Sequence, residues 1–72
     1  MTDFSAVILT DAADFLIQSE ENIERQEKGI EIREPYAINE EEVAQPIQAE
    51  KVFIPYATLH NIQYGEFDYE TA

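Results

Sequence analysis

The sequence predicts a mostly β domain, built on a small, strongly curved five-stranded sheet or barrel, and three observations carry that expectation. Short runs rich in β-branched residues recur along the chain. Apolar and charged side chains alternate with a period of two in Ile30-Glu31-Ile32-Arg33. No stretch sustains the apolar stripe of a long helix.

Ser5 to Thr10 is an apolar run without alternation, the pattern of a strand buried on both faces, with its centre at residues 6 to 9. Asp11 to Asp14 then forms a turn, and Phe15 to Gln18 a second strand. An α+β alternative places a helix at about 11–28, with Thr10 as its cap, Asp11 and Asp14 in its first turn, Arg25 and Lys28 near its end and Gly29 beyond it. Against it, Ile23 is the sole apolar residue between Gln18 and Lys28, so the second half of such a helix has no stripe to bury. The strand reading instead pairs Ile23 to Gln26 with Ile30 to Glu34 around Glu27, Lys28 and Gly29, with the glycine at a position needing positive φ.

Residues 30 to 38 form the third predicted strand, bent at Glu34-Pro35, because the residue before proline is restricted and proline itself cannot donate to a ladder. Asn39 to Glu50 is expected to be an exposed connection carrying Glu40, Glu41, Glu42 and Pro46, tacked down by Val43 and Ile47. The fourth strand, 52 to 56, places Val52, Ile54 and Tyr56 on one face, and Pro55 confines it to an edge or a bend. One 3₁₀-like step within Ala57 to Asn61 leads to the last strand, 62 to 69. Ile62 and Tyr64 share a face, whereas Phe67 and Tyr69 beyond Gly65 have the opposite parity; such a switch across a glycine predicts a β-bulge. The predicted core is Val7, Leu9, Phe15, Ile17, Ile30, Ile32, Val52, Ile54, Ile62 and Phe67.

Strand, one-turn connection and bulged strand over Lys51 to Tyr69 together resemble the closing strands of small SH3-like and Sm-like barrels. The resemblance implies a barrel and carries over no functional residue. Sm-like proteins form rings on RNA, an activity opposed here by the shortage of basic residues.

Sixteen acidic residues against four basic ones give 72 residues a formal net charge of -12. Direct nucleic-acid binding needs lysine or arginine at each phosphate contact, and only Arg25, Lys28, Arg33 and Lys51 exist, so neither nucleic acid nor an anionic membrane is an expected partner. A hydrophobic fraction of 44% with eight aromatics is too high for an obligately disordered acidic tail. One domain, 1–72, is expected. A chain of this size buries only about 60% of its unfolded surface, and with no cysteine to staple it, assembly into a homo-oligomer would add burial. The N-terminal stretch lacks a signal-like or membrane-spanning run, which points to a cytoplasmic protein.

Catalysis is not expected, and neither is a cofactor or metal. With His60 the sole histidine and no cysteine, Cys-His chemistry and multi-histidine metal sites are impossible, and a serine triad would have to recruit Ser5 or Ser19 to that one imidazole. His60 is expected in a turn, satisfied by neighbouring backbone. Glu40 to Glu42 lacks the spacing and glycine of a calcium loop, and Gly29 and Gly65 are too far apart to form a phosphate cradle.

The acidic residues themselves supply the candidate site. Glu66, Asp68 and Glu70 project from one strand face at about 6.8 Å intervals, about half the linear charge density of a DNA strand, which shows one charge per roughly 3.4 Å. A convincing imitation needs a second row alongside, from Glu40, Glu41 and Glu42 or from Glu31 and Glu34. The expected function is that of a non-catalytic inhibitor or regulator, of the kind made by phages and mobile elements, which binds a basic protein surface where nucleic acid would sit. The alternative is a small barrel acting as an oligomeric or structural assembly subunit, its acid serving solubility or salt adaptation.

Overall fold

Bends in three stretches of chain set the architecture. In the computed structural model, which describes residues 2–72, the strands are β1 (Thr2–Thr10), β2 (Asp14–Ile17), β3 (Ile23–Arg25), β4 (Gly29–Arg33), β5 (Tyr36–Ile38), β6 (Ala44–Pro46), β7 (Lys51–Pro55) and β8 (Leu59–Tyr69). Segments 14–25, 29–38 and 44–55 each contribute one strand to a five-stranded sheet, ordered β6-β5-β2-β1-β8, and one to a three-stranded sheet, ordered β3-β4-β7. Every strand pair within the two sheets is antiparallel.

Each bend has a local cause. Between β2 and β3, Ser19 caps a 3₁₀ turn (Glu20–Asn22), its Oγ accepting from the Glu21 N–H at 3.3 Å. Between β4 and β5, Glu34 takes φ 49° ahead of Pro35, a left-handed conformation that is uncommon outside glycine. Two backbone bonds tie this kink to the one between β6 and β7: Glu34 N–H donates to the Glu50 carbonyl (3.0 Å) and Ile47 N–H to that of Pro35 (3.1 Å).

Because β1 lies inside the larger sheet, its apolar run is buried on both sides, as its lack of alternation predicts. Ala6 and Ile8 join Ile17, Ile30, Ile32 and Ile54 in a cluster between the two sheets. Phe4, Val7, Leu16 and Ala44 form a second cluster made entirely from the five-stranded sheet, with Leu9, Tyr36, Ile38, Phe67 and Tyr69 packed around it. The sheet encloses that cluster by curling. Ala44 N–H donates to the Glu70 carbonyl (2.7 Å), Ala72 N–H donates to the Ala44 carbonyl (2.9 Å), and one parallel bridge joins Ala44 to Thr71. One bridge is not a ladder, so the sheet is curved without being a closed barrel. The Cα radius of gyration, 11.2 Å, matches the roughly 11 Å of a compact domain of this length.

Several expectations need correction. The α+β alternative fails: among the described residues the stretch 11–28 contains no α-helix, only two strands and one 3₁₀ turn. The hairpin around Glu27 to Gly29 forms with Arg25 opposite Ile30, but Gly29 does not have positive φ. It is needed instead for close packing, since a Cβ there would collide with the Ile54 carbonyl oxygen and lie 2.7 Å from Phe53 Cζ. Asn39 to Glu50 is not wholly a surface connection, because β6 pairs with β5 and Ala44 is fully buried. The predicted core omits Phe4, Ala6, Ile8, Leu16 and Ala44, all buried, while Leu9, Phe15, Val52, Ile62 and Phe67 are only partly so. The bulge is present: Phe4 pairs with Phe67 and Ala6 with Tyr64, so two residues, Gly65 and Glu66, oppose Ser5.

Candidate functional site

Sorting the charges by sheet shows a strong asymmetry. All four basic residues belong to the smaller sheet and its turn: Arg25 on β3, Lys28 in the β3–β4 turn, Arg33 on β4 and Lys51 on β7. The five-stranded sheet and its connections hold nine acidic side chains and no lysine or arginine, a formal charge of -9. These are Asp3 on β1, Asp11 and Asp14 around the first turn, Glu40 to Glu42 between β5 and β6, Glu66 and Asp68 on β8, and Glu70 just after it. The other half carries seven acids with the four bases, a charge of -3.

Local structure gathers six of the nine at one end. The bulge at Gly65 turns Phe67 and Tyr69 toward the second cluster and leaves Glu66, Asp68 and Glu70 exposed. Asn39 shapes the β5–β6 turn: its Oδ1 accepts from the N–H groups of Glu41 (2.9 Å) and Val43 (3.0 Å), and Glu42 takes φ 60°. The Ala44–Thr71 bridge then draws the turn against the end of β8, where Glu41, Glu42, Asp68 and Glu70 line one recess of about 400 Å³. Asp3 and Glu66 border Asp68 on its other side. Asp3 is directly opposite Asp68 in the β1–β8 register. A hydrogen bond with Asp3, then the Asp3 charge, raises the Asp68 carboxyl above its ordinary value, and Glu66 adds to the effect.

Of the two candidate second rows, the fold brings one to the first. Glu41 and Glu42 stand beside Asp68 and Glu70, with Glu40 exposed on the same turn. Glu31 and Glu34 do not join them. Glu31, on β4, accepts from Gln26 Nε2 (2.7 Å) and pairs with Lys51 (3.3 Å), whereas Glu34 borders a separate cleft at the β4–β5 kink. Asp3 was missed by sequence reasoning, because only the pairing of residues 65 positions apart places it here.

Among the described residues the exposed large hydrophobics are Phe53 on β7, Tyr56 in the β7–β8 turn and Tyr64 in mid-β8, where the last two hydroxyls contact the Gln26 carbonyl (3.0 Å) and the Arg25 guanidinium (3.5 Å). His60 finds its partner in the Asp11 carboxylate rather than in backbone, both side chains being exposed. Among the described residues no three His, Cys, Asp or Glu side chains are grouped to hold a metal ion, and no helix is long and apolar enough to cross a membrane. Comparison with known proteins finds no match: no family model, no curated protein and no solved structure.

Proposed function

We propose that the chain is a non-enzymatic cytoplasmic binding protein whose acidic face occupies a basic surface on another protein, in the manner of a nucleic-acid mimic. One observation carries the reading: six carboxylates from three separated parts of the chain converge at one end of a half-molecule without a lysine or arginine. Like charges brought together cost stability, so their convergence favours a role that opposite charge on a partner would complete. The inhibitor or regulator reading, with a phage or mobile-element origin, rests on this face together with the small size of the chain.

Competition tests it. A target captured by the chain at low salt should be released as salt rises, since exposed charges are screened within about 8 Å at physiological ionic strength, and should also be released by added duplex DNA or RNA. A target retained through both treatments would remove the mimic reading.

A second reading has its own observation. Among the described residues β8 pairs along its length only with β1, and β6 meets the chain just beyond it at the single Ala44–Thr71 bridge, so the rest of its outer edge, which carries exposed Tyr64, has no paired strand. Free edges invite strand addition, which would suit an assembly subunit. The strand path, antiparallel within both sheets and with β8 returning to β1, supports the likeness to SH3-like and Sm-like barrels that goes with it.

A further inference from the structure

We infer, on the free-edge reading given above, that the outer edge of β8 is occupied by a second copy of this chain, the two strands pairing antiparallel about a two-fold axis at Gln63, with each Ile62 opposite the partner's Tyr64. The direction of the backbone groups along that edge follows from β1. Thr10 N–H donates to the Ala13 carbonyl (3.2 Å). By the alternation of an antiparallel ladder, Ala6, Ile8 and Thr10 then direct their backbone groups to β2, and Val7 and Leu9 direct theirs to β8. Their partners on β8 are Gln63 and Asn61. Ile62 and Tyr64 therefore point N–H and C=O groups outward, and among the described residues neither forms a backbone bond to any other segment.

Two irregularities set the length and register of the new ladder. The β1–β8 register shifts between Leu9 and Thr10 and again between Phe4 and Ala6, which leaves Asn61 to Tyr64 as the regular stretch of the edge. A two-fold axis at Gln63 is the arrangement in which both outward residues of that stretch meet outward residues of the other copy, so each Ile62–Tyr64 pair exchanges two backbone bonds. Such a contact is isologous and closes as a dimer.

Charge and shape both fit this stretch to itself. In a chain with sixteen acidic residues, Asn61 to Tyr64 carry none, and β8 has neither the lysine nor the proline that commonly guards an edge. Pairing about Gln63 sends Glu66, Asp68 and Glu70 of the two copies to opposite ends of the ladder, so the acidic rows do not meet. Moving the centre toward Glu66 would set the rows against each other, and like charges directly opposite are destabilising. Tyr64, 49% exposed, covers the partner's Ile62, which its own sheets bury only partly; aromatic and β-branched side chains are a favourable cross-strand pair.

Because the chain has no cysteine, single cysteine variants under mild oxidation test the register. The two copies of residue 63 face each other as a non-hydrogen-bonded pair with Cα atoms about 4.5 Å apart, within disulfide reach, whereas the copies of residue 61 lie about 14 Å apart. Gln63→Cys should cross-link to a dimer and Asn61→Cys should not. In sedimentation of the unaltered chain, the mass should rise from 8.3 kDa toward twice that between about 10 µM and about 1 mM. The dimer should tighten as salt rises, since it joins two chains of charge -12 through an uncharged stretch, the opposite of the release expected from a basic target. Tyr64→Pro removes an outward N–H from each copy and should weaken the dimer about tenfold or more; Tyr64→Ala keeps the amide and should weaken it less. The cross-links report on the edge whether or not the proline variant folds. Equal cross-linking of both cysteine variants, or a dimer unchanged by Tyr64→Pro, would overturn the assignment and leave the assembly-subunit reading standing. A chain that stays monomeric to the highest concentration would overturn both the assignment and homo-oligomeric assembly.

Discussion

Asp3 and Asp68 face each other across the β1–β8 ladder, and the hydrogen bond between their carboxyls, followed by the Asp3 charge, keeps Asp68 protonated to a higher pH than an ordinary aspartate. A raised carboxyl pKa in the folded state means that folding favours the protonated form. Its stabilising contribution is therefore complete below the ordinary aspartate value of about 4 and is lost as pH rises through the raised value.

Thermal melts across pH should show this as a rise in Tm on acidification from pH 7 toward about 4. Asp68→Asn should raise Tm at pH 7 and flatten that rise. Asp14→Asn removes the same charge from a position opposite Leu9 and should flatten it less. If the two variants behave alike, total charge governs the pH dependence and the Asp3–Asp68 pairing does not.

The two glycines should respond in opposite ways to alanine. At Gly29 a new Cβ meets the Ile54 carbonyl oxygen and lies 2.8 Å from Pro55 Cα, so backbone must move, at a cost of about 1–3 kcal/mol or more. At Gly65 the nearest atoms are those of the Phe67 ring at 3.6 Å, an ordinary contact, and φ is not positive. Gly65→Ala should be neutral or stabilise by up to about 1 kcal/mol. Urea unfolding of both variants decides the matter.

Ile54→Ala should cost about 2–5 kcal/mol, the range for emptying a buried aliphatic site. Ile54 is 4% exposed, in the cluster between the sheets. A 72-residue domain has only roughly 4–11 kcal/mol in all, so this variant should be partly unfolded near physiological temperature. Tyr64→Ala, at a side chain 49% exposed, should cost under about 1 kcal/mol. Comparable losses from the two would contradict the placement of the core.

Features set by neighbouring residues were legible in the sequence. The unalternating Ala6 to Leu9 run announced a strand buried twice, Ile30 to Arg33 announced a half-buried one, and the parity switch at Gly65 announced the bulge. What depends on pairing between distant segments was not. Phe4 is core because it meets Phe67, Tyr36 and Tyr69, and nothing in Thr2 to Ser5 alone distinguishes it from an exposed terminal aromatic. Likewise Ala44 is buried because Thr71 bridges to it, so a stretch that looks like a loop hides a strand. The candidate site divides along the same line: exposure of Glu66, Asp68 and Glu70 follows from strand parity, but the choice of Glu41 and Glu42 over Glu31 and Glu34 as their neighbours follows from how the sheet curls.

Charge reversal with a matched control tests most directly whether the geometry of the acidic face, and not acidity alone, makes the binding surface. Glu66, Asp68 and Glu70 changed together to lysine alter the face, while Glu20, Glu21 and Glu24 changed together to lysine alter net charge equally on the 3₁₀ turn and β3 of the other half. Both variants should remain folded, since all six side chains are exposed. Binding to a captured basic target, measured at fixed salt, should be abolished by the first reversal and largely kept by the second; equal loss from both, or from neither, would contradict the account.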